Sequence, residues 1–238
     1  MTRHSPGEGV IKFQLRHAPE PLSAEVRALV PKLVGWRRIL RRVGLIGQEP
    51  GRYAGAGFGN LSLRLAPGFV PPGRRSFLVT GTQTSGLVDV AADHFALVEE
   101  YDYRSNRVRS RGPAPPSSEA MTHGALYDVD ATVRVVFHVH SPHIWELARE
   151  LRLPTTDPAV EYGTPEMAAE VGRQFRLGDL RRCGLLVMGG HLDGVMVFGG
   201  SPEEAGSTVM SWLARSFEKE EQAGSRSGLG DPAQRRRA

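Results

Sequence analysis

The spacing of apolar residues changes several times along this chain, and each change marks an element. Between Ser23 and about Gly44, the residues Leu29, Leu33, Trp36, Leu40 and Val43 recur every three or four positions, the period of one helix face. Ser23 stands where an N-cap belongs, and Pro31 predicts a kink within that helix. A possible strand at Val10 to Leu15 precedes it, and Leu61, Leu63 and Leu65 alternate with polar neighbours as a short strand does. Phe77 to Thr80 predicts a strand entering a Gly-, Thr- and Ser-rich loop, while Ala96 to Tyr103, the turn "RSN" and Val108 predict a hairpin. "SSEAMTHGALYDV" reads as a helix with Ser117 or Ser118 as N-cap. Val133 to Val139 reads as a strand leading into a helix from Pro142 to Leu151; Thr164 and Pro165 repeat the same start signal. Leu185 to Met188, "GGHLDG" and Val195 to Phe198 form a second hairpin, before a last amphipathic helix capped at Ser201. Strands come in pairs with helices between the groups, which favours a mixed, largely antiparallel sheet covered by helices.

Composition bounds the class. The chain has 238 residues, 40% of them hydrophobic, with three Trp and nine Phe, enough for a substantial core. Without an internal repeat or central linker, one domain is expected over residues 21–221, after an N-terminal extension at 1–20. Residues 222–238, "QAGSRSGLGDPAQRRRA", have almost nothing to bury and read as a disordered Arg-rich tail. With Arg226, Arg235, Arg236 and Arg237 against Asp231, this tail holds +3 of the formal net charge of +4. The remainder is nearly neutral, so no nucleic-acid partner is expected. In "WRRILRRV", Trp36 to Val43, the arginines read as the solvated outer face of the helix; a surface for an acidic partner is the alternative. No stretch approaches the roughly 20 unbroken apolar residues of a membrane span. "MTRHSPGEG" also lacks a signal-peptide core, so the expected location is cytoplasmic. The single cysteine, Cys183, reads as a small buried apolar residue.

The candidate chemistry lies in "RVVFHVHSPHIW". On a strand, residues i and i+2 face one side about 6.6 Å apart, so His138 and His140 can converge on one ion while Phe137 and Val139 face the other way. A lone histidine here would more often be a hydrogen-bonded core residue; a same-face pair among valines favours a metal. His191, in a tight turn between apolar strands, and Glu119, one turn before His123 on the same helix face, are further available ligands. Three neutral imidazoles and a carboxylate suit a catalytic zinc that can still accept substrate oxygens, and a Glu able to leave the metal becomes a base beside a Lewis acid.

The ordered set "GNLS" (Gly59 to Ser62), "TSG" (Thr84 to Gly86), "PSSE" (Pro116 to Glu119), "HVH" (His138 to His140) and a later His191 close to Gly194 resembles the class II aldolase/adducin family over about residues 25–215. The resemblance implies an α/β fold of three layers, α/β/α, around a central mixed, mostly antiparallel sheet. It implies that His138, His140 and His191 hold one divalent cation per subunit, with Zn2+ the first choice, and that Glu119 is the acid/base and a potential ligand. Asn60, Ser85, Gly86, Ser117 and Ser118 match positions that bind the phosphate in members acting on sugar phosphates. His123 and Tyr127 match as support. The implied activity is that of a lyase making or breaking a C–C bond beside the carbonyl of a small hydroxy-carbonyl substrate through an enediolate, in a homotetramer. Epimerisation, dehydration or decarboxylation on the same site, and a non-catalytic adducin-like binding role, are the rival readings.

The chain departs from the family pattern in four places. The phosphate loop is expanded to "TGTQTSG", and Leu192 and Asp193 separate His191 from Gly194, so that Asp193 is either a partner of His191 or a turn residue. The segment before "YGTPEM" is short, and Tyr162 is a poor positional match for the family's proton-donating tyrosine. The N-terminal extension is the fourth departure.

Overall fold

The computed structural model describes residues 9–227. An eight-stranded sheet runs in the order β1 (Gln14–Ala18), β7 (Arg107–Arg111), β6 (Phe95–Asp102), β5 (Phe77–Thr80), β4 (Asn60–Arg64), β8 (Val135–His140), β10 (Gly194–Gly199) and β9 (Leu185–Val187). The β1–β7 pair is parallel and every other pair is antiparallel. A small ribbon of β2 (Gly47–Gln48) and β3 (Gly57–Phe58) stands apart from it.

Alternation along the strands divides the interior into two cores. Leu61, Leu78, Val135, Phe137, Val139 and Val195 pack with α1 (Ala24–Arg27), α2 (Val30–Arg42), α4 (Pro142–Glu146) and the long α7 (Pro202–Ser227). Phe77, Val79, Val98, Val136, Met196 and Phe198 face α3 (Ala120–Val129), α5 (Pro165–Arg176) and α6 (Asp179–Cys183). The result is a three-layer α/β/α arrangement around a mixed, mostly antiparallel sheet. Because helices cover both faces, β4 and β8 are buried at every position.

Several elements differ from the sequence pattern. The helix expected from Ser23 to Gly44 is two helices. The Ser23 hydroxyl caps α1, accepting from Val26 N at 3.4 Å, and Pro31 lies in the first turn of α2. Proline has no N–H and a φ suited to the first turn, so here it starts a helix instead of bending one. The first strand begins at Gln14, beyond the Val10 start expected, because its pairing with β7 covers 14–18. Glu119, not a serine, occupies the N-cap position of α3, and the Ser117 hydroxyl instead accepts from Glu119 N at 3.2 Å in the preceding loop. After α4, residues 147–152 form turns where more helix was expected, and α6 had no clear periodic signal. The last helix runs past Gln222 to Ser227; the remainder of the Arg-rich segment lies outside the described residues.

The arginines of α2 are not uniformly solvated. Arg37 is 2% exposed, and its guanidinium donates to the carbonyls of Thr84, Ser85 and Leu87 at 2.8, 3.1 and 2.7 Å. Burial lowers its pKa to about 10, so it remains charged at neutral pH. Arg38 and Arg42 are exposed. Cys183 is buried, and among the described residues no helix is long and apolar enough to cross a membrane.

Candidate metal centre

Strand register assembles the site. In β8, His138 and His140 share the parity of Val136, which belongs to the core under α3 and α5, whereas Phe137 and Val139 belong to the opposite core. His138 pairs with Asn60 of β4 and Met196 of β10, and His140 pairs with Gly194. His191 comes from the turn between β9 and β10, which is closed by hydrogen bonds from His191 N to Met188 O at 3.1 Å and from Gly194 N to His191 O at 2.9 Å. A Cβ at Gly194 would crowd the His191 ring, so this glycine allows the turn to bring its imidazole over β8.

The three histidines are buried, and one ring nitrogen from each lies within 4.8 Å of the others. The Nε2 atoms of His138 and His140 are 3.1 Å apart. Two nitrogens on one tetrahedral zinc at 2.0–2.1 Å stand roughly 3.4 Å apart. Glu119, 1% exposed, brings Oε1 to 3.5 Å from His191 Nδ1, while its Oε2 accepts from the Thr122 hydroxyl at 3.1 Å. A compact, buried set of three imidazoles, with a carboxylate beside one of them, fits a divalent cation with a preference for nitrogen and oxygen donors.

Aromatic side chains wall the set. Tyr53 and Phe58 lie against His140, with ring centroids 4.6 and 5.4 Å away, and Tyr162 lies against His191 at 4.5 Å. Lys12 stands over the Tyr162 ring, its Nζ 3.7 Å from the centroid, and pairs with Glu161 at 3.1 Å. Asp193 is a left-handed turn residue whose carboxylate accepts from the Tyr53 hydroxyl at 2.6 Å. Sequence reasoning had missed Tyr53, Lys12 and the closeness of Tyr162. These neighbours arise from tertiary approach of irregular segments and have no local period.

The five residues matched to phosphate contacts lie in two loops and a strand. Asn60 is buried beside His138 in the register. The loop after β5 carries Ser85 and Gly86, and a bridge between Gly81 and Pro116 joins it to the loop bearing Ser117 and Ser118. The Ser85 and Thr84 hydroxyls donate to the carbonyls of Gly59 and Gly81, both at 2.7 Å. Gln48 packs so closely on Gly86 that a Cβ there would collide with it. Arg37 holds the carbonyl side of the same loop, against the solvated face expected of it; its place on the Leu33–Leu40 stripe was the signal that could have found it. Behind the centre, Ser62 joins His123 Nδ1 and the Tyr127 hydroxyl, each at 2.6 Å.

The comparisons agree with this architecture. Residues 51–218 match the family model described as Class II Aldolase and Adducin N-terminal domain. The L-fuculose-1-phosphate aldolase from Thermus thermophilus is 20% identical with a TM-score of 0.58, the match covering 88% of this chain and 99% of that one. A sugar-phosphate aldolase from Thermotoga maritima is 17% identical with a TM-score of 0.61, covering 88% and 99%. YgbL from Klebsiella pneumoniae, a candidate aldolase, epimerase or decarboxylase, is 20% identical with a TM-score of 0.53, covering 86% and 91%. No curated protein sequence matches the chain. The three-layer fold and a family match across most of the chain lead to one conclusion: the protein belongs to the class II aldolase and adducin family.

Proposed function

We propose that the chain is a metal-dependent lyase of the aldolase type acting on a small hydroxy-carbonyl compound. The observation that carries this reading is the buried trio His138, His140 and His191 with the Glu119 carboxylate against it. A divalent cation, with zinc the first choice, would supply a Lewis acid for negative charge developing on adjacent carbonyl and hydroxyl oxygens. The three histidines would hold the ion. Glu119, oriented by Thr122, would move the proton that accompanies C–C cleavage or formation. Asn60, Ser117 and Ser118 would orient the polar end of the substrate. Ser85 already donates its hydroxyl proton to Gly59, so a phosphate at the Ser85–Gly86 loop would be met by main-chain N–H groups. Residues 21–221 would form the catalytic domain, in a homotetramer.

The test is metal content by mass spectrometry on protein purified without added metal. The expected result is one equivalent of zinc in the wild type and its loss in His138→Ala. No metal in either, with no uptake on adding zinc, would remove the lyase reading and put a binding role first. In metal-loaded protein, Glu119→Gln should lower turnover by about 10²–10⁴-fold, since a positioned acid/base contributes that much. The likeness to YgbL makes epimerisation or decarboxylation on the same centre the second reading. Identifying the products from phosphorylated and unphosphorylated hydroxy-carbonyl compounds separates the two.

A further inference from the structure

Tyr53 touches one candidate ligand directly and the turn that carries another. Its ring stands edge-on to His140, and its hydroxyl donates to Asp193, two residues after His191. Arg52 reinforces the arrangement, with Nη2 donating to the same hydroxyl and Nη1 to Gly44 O, both at 3.0 Å. The Asp193 carbonyl accepts from Ser141 N at 2.9 Å, so its peptide is tied to the exit of β8.

The backbone is held in an unusual shape to make these contacts. Tyr53, Ala54 and Gly55 are left-handed in succession, with φ of 47°, 56° and 78°, and Asp193 has φ of 61°. An aromatic residue with positive φ is uncommon and persists only where its surroundings over-determine it. Ring packing alone does not account for Tyr53. A phenylalanine would fill the same space without engaging the carboxylate.

We propose that Tyr53 and Asp193 form a clasp that fixes the mutual placement of His140 and His191, making Tyr53 a positioning residue for metal capture. This rests on the metal reading above. The clasp joins the turn at residues 53–55 to the turn at 191–194, so two donors on separate segments are held at one separation before an ion arrives. Groups that lock ligand orientation affect metal affinity by about 10–100-fold.

The experiment measures zinc dissociation constants by chelator competition for the full-length wild type, Tyr53→Phe, Asp193→Ala, Asp193→Asn and the Tyr53→Phe/Asp193→Ala double variant. Thermal melting of the metal-free forms reports structural damage separately. Tyr53→Phe and Asp193→Ala should each weaken zinc binding about tenfold, with only the modest fall in metal-free melting that loss of one hydrogen bond, and Ala at a left-handed position, gives. Asp193→Asn, which keeps an acceptor, should recover part of the loss. The double variant should bind no more weakly than the worse single variant. Wild-type affinity in both single variants, or a double loss equal to the product of the single losses, would overturn the clasp while leaving the metal centre intact. If Tyr53→Phe does not fold, the Asp193→Ala and Asp193→Asn pair decides: equal, wild-type affinities overturn the proposal. A wild type that takes up no zinc would overturn the metal reading and the clasp with it.

Discussion

His123 lies fully buried behind the candidate centre, bonded to Ser62, and burial pushes its pKa down to about 3 from an ordinary 6.5. Between those values the unfolded chain binds a proton that the folded chain does not. Stability therefore falls as pH drops through that window, by about 1.4 kcal/mol per pH unit from this residue. In urea unfolding of the metal-free protein from pH 7 to pH 5, His123→Gln should lose less stability than the wild type. Parallel losses would show that His123 is not held neutral. At this scale the sequence was informative wherever chemistry repeats at a local spacing. The His138 and His140 pair was visible because a strand puts i and i+2 on one face. Arg37 was misread because its neighbours Arg38, Arg41 and Arg42 suggested a solvated face, although its distance of four from Leu33 and three from Leu40 places it on the buried stripe. Tyr53 gave no signal at all, since nothing local marks an aromatic residue for a left-handed turn.

Elements were legible where their termini carry capping chemistry. Thr164 caps α5, its hydroxyl accepting from Met167 N at 3.3 Å with Pro165 in the first turn. Thr164→Ala should therefore lower stability by about 1 kcal/mol, read as a shift in the denaturation midpoint without a change in slope. The same hydroxyl-proline signal at Ser141 and Pro142 marked the start of α4 correctly but not its end, because no glycine or other stop follows Glu146. The hairpins β6–β7 and β9–β10 were predicted because their apolar runs are bounded by turn residues. The β2–β3 ribbon was not, because two-residue strands are too short to show a period.

Across the whole molecule, one sheet is shared by two cores. Phe137 and Val136 are adjacent in β8 yet belong to opposite cores. Phe137→Ala should cost about 3–5 kcal/mol, as deletion of a buried aromatic side chain does. In both Phe137→Ala and Val136→Ala, near- and far-ultraviolet circular dichroism should report one coincident transition; separated midpoints would mean that the two layers unfold independently. The order of layers could be anticipated from the alternation of strands and helices, whereas the placement of the 53–55 and 191–194 turns depends on contacts between distant segments. The same sheet also has a temporal side. His138 and His140 stand on a strand paired on both sides, but His191 belongs to a hairpin whose outer strand, β9, is three residues long and lies at the sheet edge. The outer side of β9 is nevertheless braced, since Val187 N donates to Pro154 O and Thr156 N to Val187 O, both at 2.9 Å, and all three of its residues are buried. The third donor is therefore freed only when the 154–156 segment opens together with the hairpin, and an ion held by this set should exchange slowly.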